Sequence, residues 1–169
     1  EARRLLAAAG YRTKQPNPIR LRLPAGNGDE LCLAVAAMWT AIGAPARTER
    51  SEIKSMIADL RRGDFDVALT GAQDNPTVEA YLERFRRDSS YNTGRYADPA
   101  FETALDAALR LPLAAERARG LLAAETVLMH DHPVVPLFQE VARNLVSARV
   151  TGWVDNPADL HLSRYLALR

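Results

Sequence analysis

Residues 19–43 read IRLRLPAGNGDELCLAVAAMWTAIG, a strand signal followed within a few residues by a helix signal. Ile19, Leu21 and Leu23 alternate with Arg20 and Arg22, the period-two pattern of a strand. Asn27 and Glu30 have capping-box spacing, which predicts the start of a helix. Leu31, Ala34, Val35, Met38 and Ile42 then recur at helical spacing, and Gly43 closes the segment.

The same alternation of element types continues outward. A short strand is expected near Ala44–Thr48, where Pro45 favours an edge position because it cannot donate to a ladder. Ser51 is placed to cap a helix whose Ile53, Met56, Ile57 and Leu60 form a stripe. Arg61 and Arg62 complement its C-terminal dipole, and Gly63 ends it. Phe65, Val67 and Leu69 alternate as a third strand. Upstream, residues 1–11 read as a helix with Leu5, Leu6 and Ala9 on one face and Gly10 just past its end. No N-cap candidate precedes that helix, as expected of a piece of a longer chain.

Downstream, Pro76–Arg87 predicts a helix with Val78, Tyr81, Leu82 and Phe85 on one side, and residues 88–95 (DSSYNTGR) are rich in turn formers. Asp98-Pro99 combines a cap with a proline at the first helical position, where its missing N–H costs nothing. Phe101, Leu105 and Ala108 mark the inner face of that helix. Ala114–His130 is a longer helix containing Gly120, at a cost of ~1 kcal/mol relative to alanine. Pro133–Phe138 and Leu145–Val150 read as strands, with a last one at Tyr165–Leu168. Strands separated by helices predict an α/β fold, a mixed sheet flanked by helices, and residues 1–169 are read as one domain.

Composition narrows the function classes. The chain has 169 residues, 22 Lys+Arg against 21 Asp+Glu, and a net charge of +1, which gives no general attraction for nucleic acid or an anionic membrane. Arg84, Arg86 and Arg87 form the densest basic group, but Glu83 and Asp88 flank them, the pattern of a solvated helix end. The longest apolar run, Leu31–Trp39, falls well short of the ~20 residues a membrane-spanning helix needs. One cysteine, Cys32, excludes an internal disulfide framework and reads as a small core residue.

Few groups point to chemistry. No G-x-S-x-G elbow is present, and Gly26-Asn27-Gly28 lacks the lysine of a P-loop and the third glycine of a dinucleotide turn. His130-Asp131-His132 supplies ligand types that zinc or nickel would use, but we read it as a solvated turn after a helix, with no resident metal and no cofactor. Thr70–Pro76 (TGAQDNP) differs, because it follows an apolar strand and places Asp74 just beyond that strand's C-terminal end. In open α/β sheets ligands bind in the crevice there. A carboxylate at that place could accept charge-assisted hydrogen bonds from a ligand ammonium. Equally, Asp74 or Asn75 could cap the following helix in an Asx turn.

Together these segments resemble the extracytoplasmic solute-binding proteins of oligopeptide and dipeptide ABC importers. The similarity starts at residues 2–11 (ARRLLAAAGY), like the family's helix ending in Ala-Gly-Tyr, and continues through Ala34–Trp39, Ile42-Gly43 and Glu52. Residues 63–67 (GDFDV) are similar to a "G-x-F/Y-D" strand entry. Residues 89–92 (SSYN) with 96–101 (YADPAF) are similar to an "N…Y.(N/S)P.FD" signature. Arg117, residues 131–137 (DHPVVPL) and Gly152 fall in register with the family's long helix, its following strand and a later glycine.

The resemblance implies the C-terminal lobe of a type II, periplasmic-binding-protein-like clamshell that closes on its ligand and docks on a membrane permease. It implies that Asp74, in the position of the family's "G-W-x-x-D" aspartate, pairs with a ligand's free α-amino group. Gly71, Ala72 and Gln73 would line the same loop, and Tyr91 and Asn92 would border the cleft. The family's tryptophan after the glycine is Ala72 here, and the loop is one residue shorter, which removes a large apolar wall. Members of this fold class also carry nickel chelates, sugars and opines.

The reading is thus a non-enzymatic binding lobe for peptides or a related amine-bearing solute, periplasmic or otherwise extracytoplasmic and membrane-anchored. Its expected partners are an ABC permease and an N-terminal lobe of the same protein, not nucleic acid. The competing readings are the ligand-sensing domain of a transcriptional regulator and a nickel or metal-chelate binding protein.

Overall fold

In a parallel sheet every strand must return through a crossover, and the chain supplies a helix for each return. The computed structural model describes residues 1–11, 17–26, 28–71, 77–138, 143–156 and 159–169. After a short helix α1 (Ala2–Ala8), the unit runs β1 (Ile19–Pro24), α2 (Asp29–Ile42), β2 (Ala46–Ser51), α3 (Ile53–Arg62) and β3 (Val67–Ala68). All pairing in this sheet is parallel, in the order β2-β1-β3, with Leu21 opposite Thr48 and Val67. β2 lies at an edge, as Pro45 predicts, and the Pro45 carbonyl accepts the Ile19 N–H at 2.8 Å to start the ladder.

The two faces of β1 have opposite chemistry. Leu21 and Leu23 are buried against Cys32 of α2, with Val35, Trp39 and Leu69 packed around them. Helix α2 therefore meets the sheet through positions 32, 35, 36 and 39. Met38, assigned to the inner stripe by periodicity, is 67% exposed instead. A helix apolar on nearly every side offers two stripes of similar period, and the sheet selects one. The helix cap is Gly28, at φ +79°, while the expected cap Asn27 lies outside the described residues.

On the other face, Arg22 reaches Asp59 at 3.0 Å, Asp64 at 3.3 Å and Glu49 at 3.5 Å, and its guanidinium donates to Ser51 Oγ at 3.3 Å. Arg20 pairs with Asp64 at 2.7 Å and with Asp66 at 3.3 Å. Helix α3 thus joins the sheet through ions, with Met56 its buried residue. Its cap is Glu52, whose carboxylate accepts the N–H groups of Lys54 and Ser55; Ser51, expected in that role, ends β2. Of the expected α3 stripe Met56 is buried, while Ile53 and Ile57 are exposed, because the polar β1 face takes the ionic side of the helix.

A second core lies in α4 (Val78–Glu83), α5 (Pro99–Leu109) and α6 (Ala114–Asp131). Thr77 caps α4 and Asp98 caps α5, each accepting from a first-turn N–H. Phe101, Leu105 and Ala108 interlock with Leu121, Ala124 and Leu128, and Leu82 closes the cluster, all buried to 4% exposure or less. A Cβ at Gly120 would stand 2.8 Å from the Ala108 Cβ and 3.0 Å from its Cα. The glycine disfavoured by helix propensity is therefore what lets α5 and α6 touch.

The C-terminal part departs from expectation. Pro133–Phe138 forms no strand, and of Leu145–Val150 only Val150 pairs, in β4 (Val150–Thr151). A 3-10 turn at Ser163–Tyr165 precedes β5 (Ala167–Leu168), which runs antiparallel to β4. Apolar, β-branched residues suit a strand, but a strand also needs a neighbour, and residues 133–138 have none among the described residues.

Three outcomes test this architecture. Gly120→Ala should lower stability by about 1 kcal/mol, the overpacking cost outweighing the propensity gain, as read by urea denaturation; a more stable variant would show that α5 and α6 separate freely. Arg22→Met should cost about 3 kcal/mol, because it strands Asp59 and its neighbours at a mostly buried site; an unchanged denaturation midpoint would deny the network its role. Arg20 holds the Asp64 and Asp66 carboxyls below their ordinary range through hydrogen bonds. Their stabilisation is thus present above pH ~4 and lost as pH falls through the depressed folded-state values. Arg20→Gln should therefore flatten the acid limb of the melting temperature against pH.

Candidate functional site

Because β1, β2 and β3 are parallel, their carboxyl ends share one edge, at Pro24, Ser51 and Ala68. The chain leaves that edge in three loops that brace each other. Ala25 N–H donates to the Ser51 carbonyl at 2.9 Å, and Leu69 N–H donates to the Arg22 carbonyl at 2.8 Å. A Cβ at Gly28 would lie 2.3 Å from Leu69 Cδ2, so the loop entering α2 touches the segment leaving β3. That approach, with the positive φ, is why glycine stands there.

Gly71 follows directly and is exposed at this edge. Ala72, Gln73 and Asp74 lie outside the described residues, as does the expected helix start at Pro76. The described rim is thus the platform from which the predicted ligand loop departs.

Tyr91 and Asn92 occupy a different surround. Asn92 Nδ2 donates to the carbonyls of Tyr96 at 2.7 Å and Arg86 at 3.0 Å, while its Oδ1 accepts the Tyr96 N–H at 2.9 Å. Its amide is committed to holding the turn. Tyr91 is 67% exposed, with the Arg84 guanidinium 4.7 Å from its ring centre. Their loop is tied to the sheet unit by Arg95, which donates to the Arg62 carbonyl at 3.2 Å. Arg62 ends α3, and α3 runs back from the carboxyl edge, so this tie is at the amino edge of the sheet. No described contact brings Tyr91 or Asn92 to Gly71.

The His130-Asp131-His132 triplet ends α6. Asp131 accepts the Tyr96 hydroxyl at 2.7 Å, which lowers the Asp131 pKa, while burial, together with this bond, raises that of Tyr96. His132 takes φ +54° as the helix cap. Among the described residues no group of three or more His, Cys, Asp or Glu side chains is arranged to hold a metal. Burial raises the Cys32 thiol pKa, as in an inert core position. No described helix is long and apolar enough to cross a membrane.

The paired arginines of β1 are what residue patterning alone missed. Their signal was present in the matching two-residue spacing of Asp64 and Asp66, which the strand entry carries to Arg20 and Arg22.

No protein-family model matches the chain. Among curated proteins it is 29% identical over 170 residues to the periplasmic murein peptide-binding protein MppA of Escherichia coli, covering 97% of this chain and 31% of that protein. It is 31% identical over 156 residues to the periplasmic oligopeptide-binding protein OppA of the same organism, covering 90% and 29%. Among solved structures, Haemophilus influenzae OppA in complex with the peptide RPPGFSPFR superposes with a TM-score of 0.84 at 29% identity, covering 98% of this chain and 33% of that one. The chain spans about a third of the length of the relatives it matches. The β1–β3 unit, the helical core and the short β4–β5 pair all fall within the matched span, and the chain is thereby a homologue of one part of the periplasmic oligopeptide-binding proteins, with their α/β periplasmic-binding-protein fold.

Proposed function

We propose that this chain is one lobe of a longer, two-lobed solute-binding protein. It works outside the cytoplasm, captures peptides or a related amine-bearing solute, and delivers them to an ABC permease without chemical change. The observation that carries the reading is the match over nearly the whole chain to OppA and MppA, proteins named for binding oligopeptides and murein peptide. The parallel sheet supports it, since its carboxyl-edge loops are where an open α/β sheet offers a ligand crevice.

In this reading the loop after Gly71 carries the specificity. Asp74 supplies a fixed negative charge for the ligand's α-ammonium, and the main chain of the same loop pairs with the peptide backbone in the manner of an added strand, which tolerates varied side chains. Ala72, in place of a large aromatic, leaves more room beside the ligand's first residue.

The full-length protein should melt at a higher temperature with saturating short peptides. Asp74→Ala should weaken peptides with a free amino terminus by roughly tenfold to a hundredfold, the worth of one charge-assisted hydrogen bond. N-acetylated peptides should bind the parent protein poorly, by calorimetric titration. Equal affinity for free and acetylated peptides would refute the role of Asp74.

A further inference from the structure

Helix α2 turns positions 32, 35, 36 and 39 toward the sheet, and its opposite side is uncovered among the described residues. There Leu33, Ala34, Ala37 and Ala41 line up as one outer stripe at helical spacing, with Met38 at its margin. All five are exposed, Leu33 at 52% and Met38 at 67%. A surface helix ordinarily carries charged residues on the side away from the core, yet α2 has none between Glu30 and its end at Ile42. An exposed apolar face of this kind marks a contact surface.

Charge is confined to the two ends of the stripe. Glu30 stands on it at the amino end, one turn before Leu33 and Ala34. At the other end the Arg3 guanidinium donates to the Ala41 carbonyl at 2.7 Å, which fixes a positive charge beside the last turn. Neighbouring charges are engaged, Asp29 with Arg50 at 2.7 Å and Glu1 with Arg4. Glu30 and Arg3 have no ion pair among the described residues.

A face that is acidic at one end and basic at the other is complementary to itself under a two-fold axis. With two helices antiparallel about Ala37, Glu30 is brought toward the partner's Arg3. Leu33 then faces the partner's Ala41, a large side chain over a small one, and symmetry repeats both contacts. Alanine on the axis lets the helices approach at the close end of the usual ~8–10 Å range. A parallel pairing would instead set Glu30 against its own copy.

We propose that the outer face of α2 is a homodimer interface, in which two copies pair antiparallel about Ala37. A helix of 14 residues is only ~21 Å long. The strip therefore falls below the ~1,200 Å² of a stable complex, and the dimer is weak and reversible. Because α2 runs from the carboxyl edge of β1 back to the start of β2, the two carboxyl edges lie at opposite ends of the pair. The interface is independent of any solute the chain captures.

Sedimentation of the full-length protein across a concentration series tests this. A dimer half-formed at roughly 100 μM is expected, and a protein still monomeric at ~1 mM would overturn the proposal. Ala37→Glu brings two carboxylates together on the axis and should weaken the dimer at least ~10-fold. Ala37→Ser, small and uncharged, should leave it within about threefold. If the glutamate variant keeps the parent's circular dichroism and dimerises as well as the parent, α2 is not the interface. Glu30→Lys should weaken the dimer by roughly 3–10-fold, since symmetry applies the change twice, and undiminished affinity would refute the antiparallel pairing. An Ala37→Cys thiol shielded from maleimide in the dilute monomer would assign the cover of α2 to the same polypeptide and overturn the proposal equally.

Discussion

The guanidinium of Arg22 is the point through which the sheet unit is assembled. It sits on the central strand, touches the edge strand through Glu49 and Ser51, the crossover helix through Asp59, and the approach to the third strand through Asp64. A hydrophobic side chain could bury area at that position, but it could not choose among partners. A charge with a planar fork of donors is directional, and it fixes where α3 and the strand entry come to rest relative to β1. With the carboxyl edge set in this way, the loops of that edge have a defined place from which to depart.

The helical part uses a different solution. Phe101, Leu105, Ala108, Leu121, Ala124 and Leu128 form an almost fully buried interface, and its geometry is set by removal of a side chain at Gly120 and not by a polar contact. One half of the chain is thus specified by ion geometry and the other by close packing. Among the described residues the two buried clusters share no member. Arg95, reaching the last carbonyl of α3, is one polar tie between them.

How much could be read in advance follows from which contacts are local. The strand at Ile19–Leu23, the glycine ends of α2 and α3, the Asp98-Pro99 start of α5 and the inner face of α5 were legible, because caps and periodicity are written within a few residues. The inner stripe of α2 was not, since a helix apolar around most of its circumference needs the sheet to pick a face. Glu52 displaced Ser51 as a cap because the ladder of β2 extended to Ser51. The C-terminal strands at residues 133–138 and 145–149 did not form, because an apolar run says nothing about whether a neighbouring strand exists. For the proposed site, the sheet edge was legible from the strand that ends there, while Asp74, singled out by its place after that strand and by the family resemblance, lies outside the described residues. The turn-holding role of Asn92 was visible only once its amide could be followed to three backbone groups.

The contact between Gly28 and Leu69 has a consequence for the thermodynamics of the proposed capture. Two loops already in van der Waals contact, each anchored by a backbone hydrogen bond, have little freedom left to surrender when a solute arrives. Ordering entropy at this edge of the sheet is settled at folding and not at association. In the proposed function, selectivity would fall to residues beyond Gly71, which could be exchanged while this mount stays as it is.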